Sequence, residues 1–99
     1  MKFGLSTEHW SLLDELAIQP LKSHGAQVFI FGSRVRGQHQ PYSDIDLLYK
    51  TEKPLNLASI FEIKSALEES QLPYKVDLVQ FDDLAVSYKE NIIREMIEL

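Results

Sequence analysis

At 99 residues, with a hydrophobic fraction of 44%, four glycines and four prolines, the chain has the size and composition of a single folded domain (1–99) and lies far from the polar, highly charged chains that stay disordered. Its net charge of −5 excludes general nucleic-acid binding, which needs a basic surface to displace counterions from the backbone. The lack of cysteine excludes a disulfide framework and a thiolate zinc site and suits a reducing, cytoplasmic compartment, while MKFGLSTEHW has no signal-peptide core and the longest apolar run, VFIF, is too short to span a bilayer, so no membrane association is expected.

Ser6 or Thr7 is placed to cap a first helix that runs to about His24, with Trp10, Leu13, Ala17 and Leu21 on one face, Pro20 as a kink and Gly25 as the stop. QVFIFG, 27 to 32, is β-branched and aromatic between glycines and reads as a strand buried on both faces. Residues 33 to 38 suit a short helix leading into the turn HQPYS. DIDLLYK, 44 to 50, then reads as a second strand, on which alternation puts Asp44 and Asp46 on one face and Ile45 and Leu47 on the other.

After the loop TEKPLN, Asn56 can cap a helix to about Ser70 whose apolar members are Leu57, Ile60, Phe61, Ile63 and Leu67, with Lys64 interrupting the stripe. LPYKVDLVQF gives a third strand, with Lys75, Asp77 and Val79 on one side and Val76 and Leu78 on the other. Asp82 or Asp83 is expected to cap a last helix to the C-terminus, bearing two apolar seams: Leu84, Tyr88, Ile92 and Met96, and separately Val86, Ile93 and Ile97. One seam suits the sheet; the other suits a wide buried face or a partner equally well. The order αβαβαβα implies an α/β (α+β) fold, a small mixed sheet of at least three strands with helices packed against it.

Two acids on one face repel, raise each other's pKa and call for a cation or a proton between them. Carboxylate oxygens suit a hard divalent ion such as magnesium, which binds through a few carboxylates and substrate phosphates together. The preceding turn supplies the phosphate side of such a site. Gly32 lets backbone amides approach a ligand closely, Ser33 adds a hydroxyl, and Arg34 or Arg36 can neutralise a polyphosphate, one of the two being an ordinary exposed loop charge. Gly37 and Ser43 are read first as turn residues, Lys64 as snorkelling along the core rim, and His9, His24 and His39, which lack ligand spacing, as surface residues. Taken alone, the acid pair is as well explained by solvation at a strand start as by function.

Gly32 and Ser33, ten intervening residues, then Asp44-Ile45-Asp46 resemble the signature of the DNA polymerase β nucleotidyltransferase superfamily, and the wording GSRVRG and YSDIDLL is most similar to its minimal nucleotidyltransferases. Asp77 in KVDLV matches the third acid of that family. The resemblance implies magnesium-dependent transfer of a nucleoside monophosphate, AMP from ATP, with release of pyrophosphate. It further implies that Asp44 and Asp46 bridge two magnesium ions, that Asp77 completes the ion binding the attacking hydroxyl, and that Gly32, Ser33, Arg34 and Arg36 hold the nucleotide. Proteins similar to this one are commonly paired with a helical HEPN toxin that they adenylylate on tyrosine, the transferase serving as antitoxin. The acceptor site is then expected to be completed by that partner or by a second copy in a homodimer. Neutralisation by contact without turnover, and transfer to a small molecule such as an aminoglycoside, are the alternative readings.

Overall fold

The side chain of Ser6 accepts a hydrogen bond from the His9 amide at 3.1 Å and so sets the first helix of the computed structural model, which describes residues 2–99. Helix α1 (Thr7–Leu13) passes without a break through a π-helical turn (Asp14–Ile18) into α2 (Gln19–Ser23). The widened turn lies just before Pro20, which has no N–H to return to the carbonyl four residues back; instead the Gln19 amide reaches Asp14 O, five residues back. The proline expected to kink or shorten the helix is thus absorbed by one extra residue in the preceding turn. Gly25, at φ +89°, ends the run.

Strand β1 (Gln27–Phe31), the short helix α3 (Ser33–Arg36), strand β2 (Ile45–Lys50), helix α4 (Leu57–Glu69), strand β3 (Val76–Gln80), helix α5 (Val86–Glu95) and strand β4 (Ile97–Glu98) follow. The sheet order is β3-β2-β1-β4. β1 pairs antiparallel with β2 and β4, whereas β2 and β3 are parallel, joined by the crossover that contains α4. The architecture is the mixed sheet with packed helices expected from the chain order, with a fourth strand added.

One face of the sheet makes the core. Val28 and Ile30 of β1, Ile45, Leu47 and Tyr49 of β2, and the inner sides of Val76 and Leu78 of β3 meet Leu13, Ala17 and Leu21 from the first helical run and Ile60, Ile63 and Leu67 from α4. Truncating any of the large aliphatic members to alanine would cost about 2–5 kcal/mol. Alternation sends Phe29, Phe31, Asp46, Leu48, Asp77 and Val79 to the other face. Phe29 and Leu48 are buried there too, so the centre of the sheet is covered on both sides, as the unbroken apolar run in β1 predicts.

Several boundaries differ from expectation. The polypeptide after β3 makes a 3-10 turn (Phe81–Asp83), and α5 begins three residues later with Ala85 at its N-cap, so neither Asp82 nor Asp83 caps it. The last helix also stops short of the C-terminus: Ile97 and Glu98 turn back as β4 beside β1, with Ile30 opposite Ile97 and the Leu99 amide donating to Val28 O at 2.9 Å. Tertiary pairing with the free edge of β1 outweighs the helical spacing of the last apolar residues. In α4 the buried stripe is the narrower seam of Ile60, Ile63 and Leu67; Leu57 and Phe61 face solvent, and Lys64 stands outside that seam. Of the apolar residues expected on the last helix, Ile92 of α5 and Met96 just beyond it are half-buried, while Val86, Tyr88 and Ile93 of α5 and Ile97 of β4 are exposed.

Candidate functional site

The carboxyls of Asp46 and Asp77 come together because parallel pairing of β2 with β3 sets these two residues opposite each other in register. Both project from the face away from the main core, at the end of β2 nearest the turn from β1 into α3. Phe31, the last residue of β1, pairs with Asp46 from the other side. The next residue is Gly32, with φ +88°, and a Cβ there would overlap Asp46 Oδ2. Only glycine accommodates both the backbone conformation and the carboxylate, so the turn and the acid are fitted to each other.

Burial, then the neighbouring negative charges of Asp77 and Asp44, and then hydrogen bonding to Asp77 raise the Asp46 carboxyl from 3.8 to about 6; Arg36 pulls in the opposite direction. The like charges are therefore close enough to act on one another, as the sequence predicts. Lys75, on the same side of β3, brings Nζ to 3.5 Å from Asp77 Oδ1 and supplies a partial counter-charge from a solvent-exposed position. A groove of about 690 Å³ runs from Asp46 and Asp77 along β3 towards α4, where Tyr74, Lys75 and Lys64 line it. Lys64, exposed and outside the buried seam of α4, is thus one of the residues lining this groove.

Asp44 is placed differently from the other two acids. β2 begins at Ile45, whose amide donates to Lys75 O at 2.9 Å, and Asp44 stands exposed in the loop before it. It contributes to the field on Asp46 without joining a tight cluster: among the described residues no group of three or more His, Cys, Asp or Glu is gathered for metal ligation. The Asp46–Asp77 pair nonetheless fits a hard divalent cation, because two carboxylates held against each other have oxygens to offer and a repulsion that a cation relieves.

The two arginines divide sharply. Arg34 is 3% exposed. Its Nε and Nη2 donate to Ser43 O at 3.2 and 2.8 Å, its Nη1 donates to Phe3 O at 2.9 Å, and its guanidinium lies 4.6 Å from the Tyr74 ring centre. The expected nucleotide contact is corrected on this point: Arg34 is neither an exposed charge nor available to a phosphate, since its donors tie the N-terminal segment to the loop before β2. Arg36, half-exposed, bonds Glu95 Oε2 through Nη1 at 2.8 Å. Ser33 is the first residue of α3, beside Gly32, and Gly37, at φ +71°, closes that helix. Ser43 does serve the turn, its Oγ accepting from the Gln40 amide at 2.7 Å. Of the histidines only His24 is exposed; His9 packs edge-on to Tyr74, and the His39 ring fills the space that a side chain at Gly4 would take.

Sequence reasoning missed Glu95, which also accepts a hydrogen bond from the Gly32 amide at 3.1 Å. The two residues are 63 positions apart, and no local spacing links them.

A glycine turn, an acid pair across parallel strands and a mixed sheet of this order define a nucleotidyltransferase fold. The chain belongs to the family described as Polymerase beta, Nucleotidyltransferase, whose model matches residues 18–99. Over 69 residues it is 41% identical to a Haemophilus influenzae protein named "Probable protein adenylyltransferase MntA", an alignment covering 70% of this chain and 60% of that protein, so the match spans under two thirds of the relative's length. Among solved structures it resembles a candidate minimal nucleotidyltransferase at 34% identity and a TM-score of 0.73, covering 96% of this chain and 97% of the other. In fold alone it also resembles a chain of the complex between a tri-AMPylated Shewanella oneidensis HEPN toxin and its MNT antitoxin, at 17% identity and a TM-score of 0.60 over 89% of this chain and 69% of that one.

Proposed function

We propose that this protein transfers a nucleoside monophosphate, AMP from ATP, to a tyrosine hydroxyl of a HEPN-type partner and acts as the antitoxin of that pair in the cytoplasm. In this reaction the acceptor oxygen attacks the α-phosphorus, the bond to the β-phosphate oxygen breaks, pyrophosphate leaves with that electron pair and the hydroxyl proton is lost to solvent or base. The observation that carries the reading is the fit of Gly32 to Asp46 with Asp77 directly across the strand pair. It joins a phosphate-approachable turn to a pair of carboxylates in one place.

Asp46 and Asp77, with Asp44 from the adjoining loop, are the groups that would hold magnesium. Bound there, the ions would offset the triphosphate charge and acidify the acceptor hydroxyl. The chain's own residues do the rest. Gly32 sets the tight turn that brings α3 close to the carboxylates, Ser33 presents its hydroxyl to the phosphates, Arg36 adds positive charge beside them, and the open groove past Asp77 and Tyr74 gives the acceptor a way in. Support for a protein acceptor comes from the name of the Haemophilus relative and from the AMPylated toxin in the Shewanella complex.

Incubation with labelled ATP, magnesium and a HEPN-type partner protein tests the reading. Label on a partner tyrosine, lost with Asp46→Asn, is the expected result; no transfer to any partner residue would overturn it. Neutralisation by contact is the second reading, favoured by the position of Asp44 outside the close acid pair. It would be upheld if Asp46→Asn still protected cells from the partner.

A further inference from the structure

The C-terminal end of α5 reaches the site through one side chain. Glu95 is the last residue of α5, and its two carboxylate oxygens take different donors: Oε1 accepts from the Gly32 amide at 3.1 Å and Oε2 from Arg36 Nη1 at 2.8 Å. Those donors bracket α3, which has only four residues. A helix of that length cannot hold itself together, since nucleation costs more than one turn of hydrogen bonds returns. The hold on its two ends must come from outside, and Glu95 supplies it at both.

The same contact bears on how phosphates would be met. Gly32 is fixed from two directions, its amide by Glu95 and its open Cα side by Asp46. Arg36 commits Nη1 to Glu95 while its side chain remains 47% exposed, and a guanidinium carries five N–H donors in a rigid plane. Holding Nη1 leaves the remaining donors of that plane for a ligand. A carboxylate bridging Gly32 and Arg36 is thus able to hold Arg36 through one donor without consuming it.

We propose that Glu95 is a positioning residue of the nucleotide site: it clamps the turn at Gly32 and holds Arg36 so that the free guanidinium edge faces the substrate phosphates. This rests on the nucleotidyltransferase reading above. The opposite role is chemically conceivable, because a carboxylate on two donors resembles a bound phosphate and could compete with one. The two roles predict opposite signs.

Affinity for a non-hydrolysable ATP analogue with magnesium is to be measured by calorimetry for the native chain, Glu95→Gln, Glu95→Ala, Arg36→Ala and the double variant Glu95→Ala/Arg36→Ala. Hydrogen exchange of the Gly32 amide is followed by NMR without nucleotide. Glu95→Ala is expected to weaken binding about tenfold, the scale of a lost charge-assisted hydrogen bond. Glu95→Gln should fall between, because it keeps an acceptor for the Gly32 amide and loses the ion pair. The double variant should lose less affinity than the two single losses combined, because part of the Glu95 effect runs through Arg36. Gly32 exchange should quicken in Glu95→Ala and be largely restored in Glu95→Gln. Equal or tighter binding by Glu95→Ala, or additive losses in the double variant, would overturn the proposal. Should Glu95→Ala fail to fold, the Gln variant decides on affinity: binding as tight as the native chain's would overturn the clamp. Should the native chain bind no nucleotide, the functional reading falls, and an unaltered Gly32 exchange rate in Glu95→Ala would remove the clamp separately.

Discussion

Asp46 occupies the space that a side chain at residue 32 would need: a Cβ on Gly32 would overlap Asp46 Oδ2. The glycine is required for φ +88°, and any side chain there would also have to push the Asp46 carboxylate aside. Gly32→Ala is predicted to destabilise the fold by about 1–3 kcal/mol, the range of a strained backbone position, and to weaken nucleotide binding by displacing Asp46. Urea denaturation with parallel calorimetry checks both. An alanine variant of native stability and affinity would contradict the fit.

The Asp46 carboxyl titrates near 6 in the folded protein, against 3.8 for an unperturbed aspartate, so the native state holds that proton more tightly than the unfolded chain does. The stabilising contribution is complete below about pH 4 and is lost as pH rises through about 6. At pH 7.5 the ionised group works against folding. Asp46→Asn is predicted to raise stability there by about 1–2 kcal/mol, allowing for solvent screening of a half-buried group, and to change little at pH 4. Denaturation midpoints across that range test it. Magnesium should raise the native chain's midpoint at pH 7.5 and lose most of that effect in the Asn variant.

Arg34 and Arg36 should fail in different assays. Replacing Arg34 by methionine leaves the carbonyls of Ser43 and Phe3 without their donors, a predicted cost of about 2–4 kcal/mol. Arg36→Ala breaks a half-exposed ion pair and should alter stability by under about 1 kcal/mol, yet reduce nucleotide affinity. Thermal melts and binding isotherms on both variants separate the roles. Loss of affinity in Arg34→Met without loss of stability would contradict the assignment.

β4 covers the outer edge of β1 by pairing Ile97 with Ile30 and Glu98 with Phe29. Removing residues 97–99 would expose an apolar strand edge, the kind that recruits other chains. The shortened protein is predicted to self-associate at concentrations where the full chain does not, as light scattering would show, and to denature at lower urea.

Much of this was readable from local chemistry. The cap at Ser6, the stop at Gly25, the Asn56 cap and the buried run of β1 follow from residue type and spacing, which act over a few positions and hold in any fold. The turn at Gly32 and the acids at 44, 46 and 77 were equally visible, because a glycine-serine turn and paired carboxylates stand out in a short chain.

The neighbours of those residues were not visible. Arg34 and Arg36, on either side of Val35, look alike in sequence, but one is locked by backbone carbonyls and an aromatic ring and the other meets a glutamate from the far end of the chain. The sequence alone determined which side chains could do chemistry and which elements would carry them. Only the tertiary structure decided which charges are free, which are fixed and where the last residues pair, because strand register and the return of α5 bring together groups that no periodicity along the chain connects.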